Sequence, residues 1–221
     1  LYVNGAERRV EKNGKLLDYL REELRLTSVK NGCGAGACGT CTVLVDGKKA
    51  KACVLSLDRL EGKHITTVEG LTPREREVYV YAFGRAGAVQ CGFCIPGMVL
   101  CAKALLDETL EPTRAQVKQA IRGNICRCTG YVKIEDAILL SAKYFREGLP
   151  VPQDSSDARI GRLFPRVDTA EKVLGTGAFV DDITLPGMLY AKALRAKYPR
   201  ARVEKIDLSR ALAHPDTVKI L

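Results

Sequence analysis

Residues 31–41 read Asn-Gly-Cys-Gly-Ala-Gly-Ala-Cys-Gly-Thr-Cys, and a further cysteine follows at Cys53. Cys33, Cys38 and Cys41 are spaced C-x4-C-x2-C, the plant-type spacing for a 2Fe–2S cluster, with Cys53 as the fourth thiolate. Four thiolates must converge on two irons, so the loop that carries them has to wrap around the inorganic sulfides. The interleaved glycines at 32, 34, 36 and 39 allow left-handed backbone and close approach. Their N–H groups are free to hydrogen-bond to sulfur and tune a potential.

The chain has 221 residues and nine cysteines. A disulfide framework suits a short secreted chain. Here the cysteines cluster tightly and no export signal is visible, so metal binding in a reducing compartment is the better reading, and a cytoplasmic location is expected. The chain opens on Leu1 rather than Met, so a few missing residues before it are an expectation. No apolar run reaches the length of a membrane span. The formal charge of +9 is carried by scattered basic residues, and tryptophan is absent. Without a base-stacking platform, nucleic-acid binding is not expected.

The second cysteine set is Cys91-Gly-Phe-Cys94 with Cys126-Arg-Cys128. Taken alone it is ambiguous between an iron–sulfur cluster and a tetrahedral zinc site. A glycine-laced C-x4-C-x2-C loop is unlike the paired knuckles of zinc ribbons, so the first set argues for iron and sulfide. Cys101 is left over, among Val99, Leu100 and Leu105, and reads as a buried core thiol.

Along the chain, Asn4-Gly5 predicts a hairpin within residues 1–10. Lys15 to Leu26 reads as an amphipathic helix with Leu16, Leu17, Leu20 and Leu24 inside and Arg21, Glu22 and Glu23 outside. Thr42 to Val45 and Lys49 to Leu57 read as strands paired around Asp46-Gly47, and Ile65 to Val68 as a last strand. Strands around one helix with a cluster loop at the edge suit a β-grasp ferredoxin domain, placed at residues 1–72. From Thr72-Pro73 the pattern turns helical, with helices at 74–84, 96–108, 113–122 and 131–146 and caps at Thr72 and Thr113. Four short helices make a small bundle over 73–148. Cys91 and Cys94 precede its second helix, whose positive end favours a nearby anion. Residues 149–160 have linker composition. Residues 161–221, with strands expected at 188–194 and 217–221, read as the start of a larger mixed α/β domain. The expected class is therefore α+β, followed by the opening of that third domain. His64 and His214 lack the neighbours of a ligand or base. Asp181 and Asp182 read as solvated turn carboxylates.

Three motifs occur in order: Asn31 to Cys41, Gln90-Cys-Gly-Phe-Cys-Ile-Pro-Gly-Met98, and Gly123-Asn-Ile-Cys-Arg-Cys-Thr-Gly-Tyr131. Together they resemble the molybdenum hydroxylase family, which includes xanthine dehydrogenases and aldehyde oxidoreductases. The tail is similar to the opening of that family's molybdenum-binding subunit, through Lys172-Val-Leu-Gly-Thr-Gly177 and Asp181-Asp-Ile-Thr-Leu-Pro-Gly-Met-Leu-Tyr190.

The resemblance implies two 2Fe–2S clusters, held by Cys33, Cys38, Cys41 and Cys53 and by Cys91, Cys94, Cys126 and Cys128. It implies that the second lies nearer a molybdopterin cofactor, whose pterin Gln90 and the Cys128 region approach. Arg127 lies between two ligands, either paired with cluster charge or facing solvent. A linker of about a dozen residues leaves no room for a flavin domain, so any FAD sits on a separate subunit. The implied partners are a molybdenum-binding region or subunit and an FAD-binding subunit in an oligomeric complex. The implied role is electron transfer from molybdenum during hydroxylation of a purine or related N-heterocycle, with an aldehyde as second choice. A stand-alone electron carrier is the alternative, and the tail argues against it. The catalytic glutamate of the family falls downstream, and no catalytic residue is assigned here.

Overall fold

Asn4 and Gly5 both take positive φ, 51° and 84°, the backbone that a two-residue hairpin turn requires. They join β1 (Tyr2–Val3) to β2 (Ala6–Glu7), which pair antiparallel. β1 also runs parallel to β5 (His64–Thr66). β5 and β4 (Lys48–Lys51) flank β3 (Thr42–Val45) on opposite sides, both antiparallel to it. The sheet order is β2-β1-β5-β3-β4. Leu16, Leu17 and Leu20 pack with Val3, Val43 and Ile65 in its core.

The computed structural model describes residues 1–11, 13–152, 160, 164 and 166–221. The linker expected over 149–160 lies largely outside the described residues. The chain divides into two units, Leu1–Ile183 and Thr184–Leu221.

The helix expected over 15–26 departs from its pattern. α1 covers Leu16–Asp18, and the chain continues as a π-helical turn over Tyr19–Glu23, closed by the Leu24 N–H on the Tyr19 carbonyl at 3.1 Å. The wider turn rotates later side chains. Arg21, expected outside, is buried, while Leu24 is only partly so. The strand expected to run to Leu57 stops at Lys51, and a 3-10 turn over Ala52–Val54 carries Cys53 inward. The last strand likewise ends at Thr66, before a 3-10 turn over Val68–Gly70.

Four helices follow: α2 (Pro73–Arg85), α3 (Ile95–Glu108), α4 (Arg114–Ile121) and α5 (Val132–Arg146). Thr72 and Thr113 cap α2 and α4 in reciprocal boxes with Glu75 and Gln116. Met98, Val99, Ile134 and Ile138 fill the helical core, and Leu44, Val68 and Leu71 reach it from the sheet side. α6 (Thr169–Leu174) joins that core through fully buried Val173.

In Thr184–Leu221, α7 (Ser209–Leu212) is the regular element among the described residues. The strands expected at 188–194 and 217–221 are not formed. A strand needs a neighbour to pair its backbone groups, and no described segment lies in register with either. Leu189, Tyr190, Leu194 and Val218 are exposed accordingly.

Candidate metal centres

In the first thiol set, Cys41 and Cys53 join the core that Leu16 and Leu17 of α1 share with the sheet. Cys41 lies just before β3 and Cys53 just after β4, and both are buried. Cys33 is exposed and Cys38 intermediate. Backbone N–H groups point at sulfur: Ala35 and Cys38 donate to Cys33 Sγ at 3.4 Å each, and Gly36 donates to Cys53 Sγ at 3.2 Å. Gly36 reaches this geometry with φ of 74°. The N–H groups of Cys38 and Ala35 pull the Cys33 thiol down to about 6. Burial pushes Cys41 up to about 12.

The second set joins two helix-linking loops. Cys94 caps α3 and is buried, and Cys91 precedes it at the surface. Cys126 and Cys128 lie between α4 and α5, with Cys126 buried. Cys128 and Cys91 meet at 3.7 Å between sulfurs. Thr129 Oγ1 donates to Cys126 Sγ at 3.1 Å, and the Cys126 N–H donates to Tyr131 Oη at 2.9 Å. Tyr131 takes φ of 72° to begin α5, an uncommon conformation that such sites tolerate. Burial raises Cys94, and burial also opposes Cys126, yet the Thr129 hydroxyl and local N–H groups hold Cys126 below its ordinary value. Gln90 Nε2 donates to the Cys128 carbonyl at 2.9 Å, so the two residues expected to face a pterin are joined. Arg127 is exposed.

Cys91 and Cys128 are the thiols brought into direct contact in the second set. Among the described residues, no group of three or more His, Cys, Asp or Glu side chains is gathered around one metal-ion position. N–H donors aimed at sulfur in a glycine-rich loop suit a thiolate-held iron–sulfur cluster, whose sulfurs accept such bonds. Cys101 is buried apart from both sets, its thiol 3.3 Å from Asn124 Oδ1 and raised to about 11 by burial. His64 stacks on Tyr2 at 4.6 Å.

The two loops touch each other directly. The Ile125 N–H, one residue before Cys126, donates to the Cys38 carbonyl at 2.8 Å. Buried Asn124 donates from Nδ2 to the Gly39 carbonyl at 2.9 Å and to Thr42 Oγ1 at 3.2 Å. Gly39, with φ of 72°, lies so close to the Gly123 carbonyl that a side chain there has no room. Gly123 and Asn124 lie in the third sequence motif, whose pattern does not encode this contact. The one local signal is an asparagine and glycines beside the cysteines.

Residues 1–68 match the family model of the 2Fe-2S iron-sulfur cluster binding domain, and residues 67–139 match that of the 2Fe-2S binding domain. The aldehyde oxidoreductase of Megalodesulfovibrio gigas is 37% identical over 99% of this chain, and the chain spans only 26% of that protein. The small FeS subunit of nicotinate dehydrogenase from Eubacterium barkeri is 45% identical over 62% of this chain and 90% of its own length. The crystal structure of an aldehyde oxidoreductase from Desulfovibrio desulfuricans aligns with a TM-score of 0.75 and 41% identity, covering 82% of this chain and 21% of that one.

Proposed function

Because the chain belongs to the molybdenum hydroxylase family, as its iron–sulfur portion, we propose that it holds two 2Fe–2S clusters in series and links a molybdenum centre to an electron acceptor. We divide it into a ferredoxin-like part over 1–72, a helical part over 73–148, a linker over 149–160 and the opening of a molybdenum-binding part over 161–221. A 2Fe–2S cluster, when bound, takes up and gives back one electron at a time. Cys33, Cys38, Cys41 and Cys53 would hold one, and Cys91, Cys94, Cys126 and Cys128 the other. N–H groups from Ala35, Gly36 and Cys38 stabilise negative charge on sulfur. Buried Cys41, Cys53, Cys94 and Cys126 keep water from the inner side of each set.

The observation that carries this reading is the hydrogen bond from Ile125 N–H to the Cys38 carbonyl. It joins a ligand of one set to the neighbour of a ligand of the other, leaving one short backbone bridge between them. The test is one-electron reduction of the loaded chain, trapped by rapid freezing and read by EPR. The electron should divide between two signals according to their potentials. An electron confined to the centre it first entered contradicts the series arrangement.

Gln90 and Cys128, joined at 2.9 Å on an exposed face, are the residues proposed to meet a molybdopterin. The molybdenum-binding part, an FAD-binding subunit and a larger complex in the cytoplasm complete the proposal. No described helix is long and apolar enough to cross a membrane. For the substrate we favour an N-heterocycle such as a purine, in line with the nicotinate dehydrogenase subunit whose length this chain covers. The second reading is an aldehyde, favoured by the relative whose similarity runs through the tail. Bleaching of the iron–sulfur absorbance in the holoenzyme by xanthine or nicotinate, but not by an aldehyde, supports the first. The reverse supports the second.

A further inference from the structure

Asp182, expected to be a solvated turn carboxylate, is instead an internal counter-ion. Its side chain is 7% exposed and accepts from Lys30 Nζ at 2.7 Å and from Arg21 Nη2 at 2.9 Å. Lys30 is fully buried and Arg21 nearly so. Burial alone would raise the Asp182 carboxyl, but the hydrogen bonds from Lys30 and Arg21 hold it below the usual carboxylate range. Neither cation was visible as internal from the sequence. The π-helical turn at Tyr19–Glu23 brings Arg21 inward, where it also donates to the Val29 carbonyl at 2.9 Å.

The same downstream stretch reaches both cysteine loops. Lys30 lies two residues before Gly32 and three before Cys33. Its ammonium also sits 4.7 Å from the centre of the Phe179 ring, and Lys172 Nζ lies 4.4 Å from it. The ring of Phe179 meets Phe93, between Cys91 and Cys94, edge-on at 5.2 Å. Gly175, with φ of 73°, packs so tightly that a Cβ there would fall 2.5 Å from Ser28 Cβ and 3.1 Å from Pro96 Cγ. Two buried cations facing one carboxylate are costly to expose on one side alone.

We infer that residues 166–183 are a docking segment: Arg21, Lys30 and Phe93 form a socket of two buried cations and an aromatic ring, and Phe179 and Asp182 fill it, so that this segment is held on both cysteine loops independently of the covalent linker. The inference concerns attachment, not electron transfer, so it stands or falls separately from the relay.

The test uses the full loaded chain with a protease recognition sequence inserted within residues 153–159. After cleavage the downstream fragment should co-elute with the iron–sulfur part on gel filtration. Asp182→Asn should weaken its retention at least about thirtyfold, as truncating one side of a buried charge pair does. Asp182→Glu should retain most of it. Cluster absorbance before cleavage checks that each variant folds, and Phe179→Leu replaces Asp182→Asn if that one does not. Release of the fragment from the unmutated cleaved chain overturns the inference. So does retention of the Asp182→Asn fragment, or of its Phe179→Leu replacement, equal to that of the unmutated chain.

Discussion

The backbone N–H of Ile125 donates to the carbonyl of Cys38 at 2.8 Å, so the two cysteine loops meet through main chain as well as through the Asn124 side chain. A main-chain contact of this kind fixes distance without depending on any rotamer. Asn124 and Gly39 brace it on either side.

Gly39→Ala tests that closeness. The residue has positive φ and no space for a Cβ against Gly123 and Asn124. The variant should lose about 2–4 kcal/mol of unfolding stability from strain and overpacking. Electron exchange between the two EPR signals should slow as the loops separate. Gly5→Ala, with similar φ but nothing within 4 Å, should cost only about 1 kcal/mol and leave exchange unchanged.

Asn124→Ala should cost about 1–3 kcal/mol in denaturant unfolding, because the Cys101 thiol loses Asn124 Oδ1, Thr42 Oγ1 loses a donor, and the Gly39 carbonyl keeps only its bonds from Thr42. A cost below about 0.5 kcal/mol would mean that Asn124 does not hold the loops together.

Cys94→Ser and Cys101→Ala separate ligand from core thiol. Cys94→Ser should remove one EPR signal and about half of the bound iron, as loss of one of two such clusters requires. Cys101→Ala should keep both signals and lower stability by about 1–2 kcal/mol, the cost of a small cavity and one hydrogen bond.

What the sequence could and could not disclose follows from range. The glycine-laced cysteine loop, the Asn4-Gly5 turn and the caps at Thr72 and Thr113 are local features, and each sits where its neighbours in sequence predict. Cys101 reads correctly as a core thiol because its helix face is apolar. Arg21 and Asp182 read wrongly as solvated. Their burial depends on partners distant in sequence: Asp182 pairs with Arg21, 161 residues away, and with Lys30. The α1 pattern failed for a related reason: turning Arg21 toward Asp182 required a π-helical turn that hydrophobic spacing does not encode. The tail strands failed because a strand depends on a partner, and a run of apolar residues does not name one.

Thr72→Ala should destabilise the helical part by about 1 kcal/mol through loss of the α2 cap. Its box partner Glu75 is held below the usual carboxylate range: burial opposes this, and Lys103 and the Thr72 N–H overcome it. A depressed folded value means that the contribution is fully present above the ordinary carboxylate pKa. It is lost as pH falls through the folded value. Thermal unfolding of the unmutated chain should therefore weaken below about pH 4, and Glu75→Gln should flatten that acid slope.

The most direct test of the central claim is EPR of the anaerobically purified, dithionite-reduced chain, with iron and acid-labile sulfide measured on the same sample. Two distinct S = 1/2 signals with about four irons per chain, as two 2Fe–2S clusters require, are the expected result. A single signal would contradict the relay by leaving Cys91, Cys94, Cys126 and Cys128 without a cluster. A colourless protein containing zinc and no sulfide would contradict the account altogether.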